Sequence, residues 1–292
     1  MNYSVFNSQP NVKVKEEATM EAKTGSFCWL ELGTTNIKAA KSFYSSLFGW
    51  ASEDLPMGPM NYTMFRMGGK DVCGAAELMK EQLDAHVPPH WMPYVKVQSA
   101  DASAAKGVEL GAQQIVPPSD IPDVGRFAML QDPTGAQISI FQPGQHRGMT
   151  VFGDVNAFSW ADLNTKDAEK AARFYGSWLG WTYETGDDGY RHIINGTGQE
   201  NMIGGIPPKM HAPPGTPSHW MAYFHVTDCK AVAEKAVKQG ASAKMPAELM
   251  PDVGTIAVLA DPQGAVFALY QPLAREESGR GSGLTAWEIG EF

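Results

Sequence analysis

The chain has 292 residues, a formal net charge of −9, 43% hydrophobic residues and 19% charged ones. That length holds roughly two domains, and the acidic balance argues against an electrostatic grip on nucleic acid. No stretch approaches the ~20 apolar residues of a membrane span, and Cys28, Cys73 and Cys229 are too scattered for a disulfide framework or a CxxC pair, which suits a reducing, cytoplasmic setting.

Residues 1–25 are polar, lack the apolar core of a signal peptide, and read as a flexible lead-in. FCWLELG (27–33) alternates as a strand, with Cys28, Leu30 and Leu32 on one face and Phe27, Trp29 and Glu31 on the other. Ile37, Ala40, Tyr44, Leu47 and Phe48 then recur at helical spacing, with Thr35 or Asn36 as N-cap and Gly49 as the stop. MNYTMFRMGGKDVCGAAEL predicts a hairpin with a Gly-Gly turn. A second cycle follows: a strand over 90–97, a helix over 101–110, and strands near 113–116, 126–131 and 137–141. DPTG forms the turn between the last two.

From residue 158 the whole pattern is written again. FCWLELGTTNIKAAKSFYSSLFGW (27–50) matches FSWADLNTKDAEKAARFYGSWLGW (158–181). HWMPYVKV (90–97) matches HWMAYFHV (219–226), PDVGRFAML (122–130) matches PDVGTIAVL (251–259), and DPTGAQISIFQP (132–143) matches DPQGAVFALYQP (261–272). Such a repeat organises the chain. The expected division is a flexible segment 1–25, a first module 26–145, a linker 146–157, a second module 158–273 and a tail 274–292. In that tail GLTAWEIGEF echoes the start of each module, and residues 285–290 read either as a strand seeking a sheet edge or as a frayed end.

The doubled strand–helix–three-strand unit, the FY late in the first helix, LFGW and LGW after it, and DPTGA and DPQGA before the last strand resemble the vicinal oxygen chelate superfamily. That superfamily includes glyoxalases, bleomycin-resistance proteins and extradiol dioxygenases. The tandem arrangement is most similar to its two-module, glyoxalase-like branch. The resemblance implies an α+β fold of two tandem modules, each of paired βαβββ units forming a cupped mixed sheet. It also implies a divalent metal on the concave face, held by residues of the first and last strands of the units. In this register the last-strand acid falls on Ser139 and Ala268, the first-strand ligand near Phe27–Trp29 and Phe158–Trp160, and the histidine opening the second unit near Met92 and Met221. Such a cation needs three or four converging N/O donors. No metal or other cofactor is therefore expected, although Glu31, Glu77 and His90 could form a salvaged divalent site in the first module.

The cup-facing residues carry the rest of the reading. With Trp91, Val95 and Val97 under the helices, His90, Met92, Tyr94 and Lys96 point into the first cup, and His219, Met221, Tyr223 and His225 into the second. Trp29, Met64, Arg66, Ser139 and Phe141 complete the first set of ligand-binding candidates; Trp160, His192, Ala268 and Tyr270 complete the second. Aromatic and methionine walls suit a flat, largely apolar molecule, unless the side chains simply fill the cups. Glu31 and Asp162 are acids inside apolar strands at matching positions, and a buried carboxylate is costly unless paired. His90 and His219 are their expected partners, as general bases held in one tautomer. The competing reading is an acid that accepts backbone or indole N–H groups to fix the sheet. Residues that differ between the copies (Arg66, Ser139 and Arg126 against His192, Ala268 and Thr255) suggest that the two cups bind unequally.

A Walker loop, a strand-borne GxGxxG, a GxSxG elbow and an HExxH are all absent. The expected function is binding or detoxification of a small, largely apolar organic molecule, without an obligatory metal. The alternatives are a metal-dependent glyoxalase or dioxygenase, or an interaction protein with filled cups. The expected partner is a small-molecule ligand or substrate, with neither nucleic acid nor membrane, and the chain is a candidate homodimer.

Overall fold

A computed structural model describes residues 22–57, 60–210 and 215–273; the tail at 285–290 lies outside them. The first module runs β1 (Phe27–Thr34), α1 (Ile37–Phe48), β2 (Ala51–Met57), β3 (Met60–Met67), β4 (Lys70–Glu77), a short α2 (Lys80–Asp84), β5 (His90–Lys96), α3 (Ala100–Glu109), β6 (Gln113–Ile121), β7 (Gly125–Gln131) and β8 (Gln137–Pro143). The second runs β9 (Phe158–Asn164), α4 (Ala168–Leu179), β10 (Thr182–Thr185), β11 (Arg191–Ile194), β12 (Met202–Ile206), β13 (His219–His225), α5 (Cys229–Lys238), β14 (Ser242–Met250), β15 (Gly254–Ala260) and β16 (Val266–Pro272).

Each module closes on itself. The strand orders are β2-β3-β4-β1-β5-β8-β7-β6 and β10-β11-β12-β9-β13-β16-β15-β14. Two βαβββ units therefore join side by side through an antiparallel pair of their first strands, β1 with β5 and β9 with β13. The α+β architecture is the expected one. The caps are local: Asn36 Oδ1 accepts from Ala39 N, Asp167 Oδ1 accepts from Lys170 N, and Gly49 and Gly180 end their helices at φ 77° and 78°. Periodicity had no purchase on β2, whose ASEDLP (51–56) is nearly all exposed at a sheet edge.

The repeated motifs meet between the modules. Helices α1 and α5 pack together, as do α3 and α4. Tyr44 of α1 donates to Asp261 Oδ2 of the second module's DPxGA turn, and Tyr175 of α4 donates to Asp132 Oδ2 of the first module's turn, both at 2.9 Å. The same aspartates hold their own turns through Oδ1, which accepts from Ala136 N and Ala265 N. Trp91 and Trp220 of the HW motifs donate to the two phenols at 3.2 Å. The GW tryptophans clasp the lead into the opposite first strand, Trp50 Nε1 on Asn156 O and Trp181 Nε1 on Gly25 O, both at 2.7 Å. Lys106 and Lys235 cap the carbonyl ends of α4 and α1 across the interface, on Trp178 O and Ser46 O. Aromatic rings fill the space between, including Phe27 against Phe158 and Trp220, and Phe48 against Phe224.

The expectation for Phe27 is corrected here. The register of β1 against β5 slips between Phe27 and Trp29, a bulge that turns Phe27 away from Trp29's face into the inter-module core. Of the expected lead-in, Lys23, Thr24 and Gly25 are held, through Asn195 and Lys96.

Candidate functional site

The two faces left bare of helices are the cups, and register decides what each presents. Across the first sheet Met64, Gly74, Glu31 and Met92 form one row, and Trp29, Tyr94, Ser139 and Met129 the next. Across the second, His192, Gly205, Asp162 and Met221 form one row, and Trp160, Tyr223, Ala268 and Val258 the next. Residues aligned in such a row share a face. The glycines leave room in their rows: a Cβ on Gly74 would meet the Tyr62 hydroxyl at 1.9 Å, and one on Gly205 the Tyr190 hydroxyl at 1.8 Å.

Each of those phenols reaches the central acid. In the first cup Trp29 Nε1 donates to the Tyr62 hydroxyl at 2.8 Å, Tyr62 bonds Glu31, and Tyr94 donates to Glu31 Oε1 at 3.2 Å. In the second, Trp160 Nε1 donates to Tyr190 at 2.9 Å and to Asp162 Oδ1 at 3.0 Å. Tyr190 and Tyr223 donate to the two Asp162 oxygens at 2.5 and 2.8 Å. Burial raises the Glu31 carboxyl, and the two phenols only partly offset it. Glu31 is crowded by its neighbours yet not sealed from solvent. Burial, reinforced by the adjacent acid, pushes all four phenols well above their ordinary range. They therefore stay protonated and serve as donors that hold the acids.

The expected acid–imidazole pairs do not form. β5 lies beside β1, not across the cup from it, and His90 aligns with Gly33, two residues beyond Glu31; His219 likewise aligns with Asn164. His90 Nδ1 lies 2.8 Å from Pro88 O and His219 Nδ1 2.9 Å from Pro217 O, so those nitrogens carry the protons. Burial lowers the His90 imidazole and keeps it neutral. Tyr62 and Tyr190 were missed as partners, although NYTMF and GYRHI set the two tyrosines at matching places in the repeat.

The salvaged metal set is not assembled either. Glu77 aligns with Thr34, on the opposite side of the sheet from Glu31, and its Oε1 accepts from Ile37 N at the start of α1. Ser139 and Ala268 stand beside Tyr94 and Tyr223. Among the described residues no three His, Cys, Asp or Glu side chains converge as a metal centre would need. The donors present therefore do not fit the divalent metal that the fold implies. Thiol chemistry has no support: all three cysteines are buried, and burial lifts Cys28 to about 12 and Cys229 to about 11.

The cups differ in access. In the first, Trp29, Met64, Met92, Tyr94, Ser139 and Phe141 are all buried. The Ser139 hydroxyl lies next to Tyr94 but makes no hydrogen bond of regular geometry. The segment after β8 straps one end: His146 N bonds Val124 O, Met149 N bonds Cys28 O, and Thr150 N bonds Asp71 O. His146 stands edge-on to Trp29, with ring centres 4.9 Å apart and Nε2 3.4 Å from Asp71. Arg66 is engaged by Asp71 and Glu53, and Arg126 by Asp101 and Asp120 on the outer surface. In the second cup Met221, Ala268 and Asp162 are buried, but Trp160, Tyr190, His192, Tyr223 and Tyr270 all keep part of their surface open. Two shallow surface grooves lie elsewhere, about 370 Å³ beside Arg173 and Arg191 and about 420 Å³ beside Ser42 and Gln239.

The profile of the glyoxalase-like domain matches residues 160–270. The "Putative glyoxylase CFP32" of Mycobacterium tuberculosis is 35% identical over 260 residues, covering 88% of this chain and 98% of that one. The anthracycline biosynthesis protein DnrV of Streptomyces peucetius is 29% identical, over 85% of this chain and 93% of that one. Among solved structures, the Mn(II)-bound glyoxalase of Novosphingobium aromaticivorans aligns with a TM-score of 0.57 at 15% identity, covering 85% of this chain and 82% of that one. A catechol 2,3-dioxygenase aligns at 0.55 and 14%, covering 88% and 97%. With its two tandem βαβββ-paired sheets, its matching domain profile and a relative similar along nearly its whole length, this chain belongs to the glyoxalase-like family of the vicinal oxygen chelate superfamily.

Proposed function

We propose that this protein binds or detoxifies a small, largely apolar organic molecule on a cup face, without an obligatory metal. The observation that carries the reading is the acid–phenol cluster. Glu31 and Asp162 stand where an acid could serve a metal or a substrate, and each is instead held by tyrosines within an aromatic and methionine wall. Such a wall favours stacking and dispersion over charge pairing. The relatives named for anthracycline biosynthesis support the same direction, since anthracyclines are flat, polycyclic molecules. Glu31 and Asp162 act in this reading as fixed acceptors that orient phenols, and His90 and His219 as rim groups whose Nδ1 is held by a backbone carbonyl.

Two measurements test it together. Metal analysis of the purified protein is expected to find no stoichiometric Ni, Zn, Fe or Mn. Titration with flat aromatic compounds is expected to quench tryptophan fluorescence saturably, because Trp160 stands partly open in its cup cluster. A stoichiometric metal whose removal abolishes turnover would replace this reading with a metal-dependent lyase or dioxygenase.

A further inference from the structure

Resting on that reading, we infer that the two cups have divided their roles: the second is the ligand site, for a flat aromatic molecule bearing hydroxyl or quinone oxygens, and the first is a packed structural copy. Each copy carries an acid, two phenols and an indole in the same places, so the kind of cluster does not by itself separate them. What differs lies around them. Position for position, the counterpart of His192 in the row of the acid is Met64, not Arg66 as the sequence comparison had it, and Ala268 replaces Ser139 beside the second phenol. Met64 is buried and apolar; His192 is partly open, with its ring centre 4.9 Å from Tyr190 and 6.3 Å from Trp160.

The His192 ring has spare hydrogen-bonding capacity. Its Nδ1 is buried with no hydrogen-bond partner, a state that a bound oxygen or a water would relieve at a cost far below that of leaving it bare. The change from Ser139 to Ala268 removes a hydroxyl and leaves a smoother floor beside Tyr223. Above that floor stand four partly open aromatic rings, Trp160, Tyr190, Tyr223 and Tyr270. Tyr270 is tethered at the rim by its hydroxyl on Val253 O, so its ring forms a wall with little freedom to lose on binding. Rings fixed through their polar ends present π-faces, which favour a planar partner over an aliphatic one of equal size. A single imidazole at the edge then selects planar molecules that carry an oxygen there.

The first cup has the opposite design. Six of its lining side chains are buried, with only Glu31 and Tyr62 of the acid cluster keeping part of their surface open, and the strap that bonds Val124, Cys28 and Asp71 brings His146 onto the indole whose counterpart is partly open in the second cup. A planar ligand stacking on Trp29 would meet His146 of that strap.

The test uses quinizarin, a dihydroxyanthraquinone, with cyclohexanol as the non-planar control, on the full-length protein. The readouts are tryptophan quenching and equilibrium dialysis for stoichiometry, with circular dichroism to check each variant. One equivalent of quinizarin is expected to bind, and cyclohexanol not at all. His192→Met, which copies the first cup, should weaken binding about tenfold or more, a loss of about 1.4 kcal/mol. Trp160→Phe should remove most of the quench; Trp29→Phe and Met64→Leu should leave the affinity unchanged. Two equivalent sites, or loss of affinity on Trp29→Phe with none on His192→Met, would overturn the division of roles while leaving the broader reading in place. No binding of quinizarin or any other planar aromatic to the folded wild type would overturn both.

Discussion

At the scale of the residue, the two central acids show how a costly group is accommodated. Glu31 sits in an apolar strand because two phenols, one of them seated over Gly74, supply the donors that water would. Its carboxyl is nonetheless raised from about 4.5, since burial outweighs those bonds. The sign follows from linkage. A folded-state value above the unfolded one means the native protein binds the extra proton, so stability declines as pH rises from about 4.5 through the raised value. Glu31→Gln keeps a carbonyl for the phenols and removes the titration. Urea denaturation from pH 4 to pH 8 should therefore show the wild type losing stability relative to Glu31→Gln on that rise. Parallel curves would mean that the carboxyl is not raised in the native state. Gly74 and Gly205 are needed at the close approach of Tyr62 and Tyr190, and alanine there would push each ring off its acid.

At the scale of the element, the central finding is the latch. A helix of one module ends its buried face on a tyrosine, and a turn of the other module offers a buried aspartate to receive it. Asp261 is raised by its burial, so it relies on the Tyr44 hydroxyl and on the turn's own N–H groups for compensation. Tyr44→Phe removes one oxygen and orphans two partners, Asp261 Oδ2 and Trp91 Nε1. Leaving a buried polar group unsatisfied costs about 1–3 kcal/mol. Denaturation of the variant should show a loss in that range, with near-native circular dichroism. A change within about 0.5 kcal/mol, typical of surface substitutions, would make the latch dispensable. The same network accounts for why FY, HW, GW and DPxGA occur twice. FY and DPxGA are the two halves of a contact between copies, GW reaches the lead into the opposite first strand, and HW holds the phenol of its own copy in place, so both copies must retain them.

At the scale of the whole molecule, the modules share one core. Phe27, Phe48, Trp91, Phe224 and Phe267 meet across the boundary, and the helices that bury them belong to both halves. A module released from its partner would expose a large apolar patch, which soluble monomers seldom carry. Calorimetry of the full chain should therefore give a single unfolding transition. Two well-separated transitions would show that the modules are energetically independent. The arrangement also sets the polarity of function: the helical faces are committed to holding the halves together, so the helix-free faces are those left for ligands.

Much of this was legible in the order of residues. Two copies of a strand–helix–strands unit, a helix capped at Thr35 or Asn36 and stopped at Gly49, and the helix-facing side of β5 all follow from local patterns, which depend only on neighbours in the chain. The absence of an acid at Ser139 and Ala268, where the family resemblance would place a metal ligand, was equally plain. Three things were decided only by the tertiary structure. Glu31 found tyrosines in place of His90, because register between β1 and β5 fixes which residues sit side by side and alternation fixes only the face. Glu77 left the cup for the start of α1, because its alignment with Thr34 puts it on the helix side of the sheet. The two cups, built on the same motifs, differ in how far Trp29, Tyr94 and Phe141 are buried relative to Trp160, Tyr223 and Tyr270, because burial depends on what packs above a side chain. The strap over Trp29 comes from a segment outside the repeat, whose path across the sheet no pairwise spacing encodes.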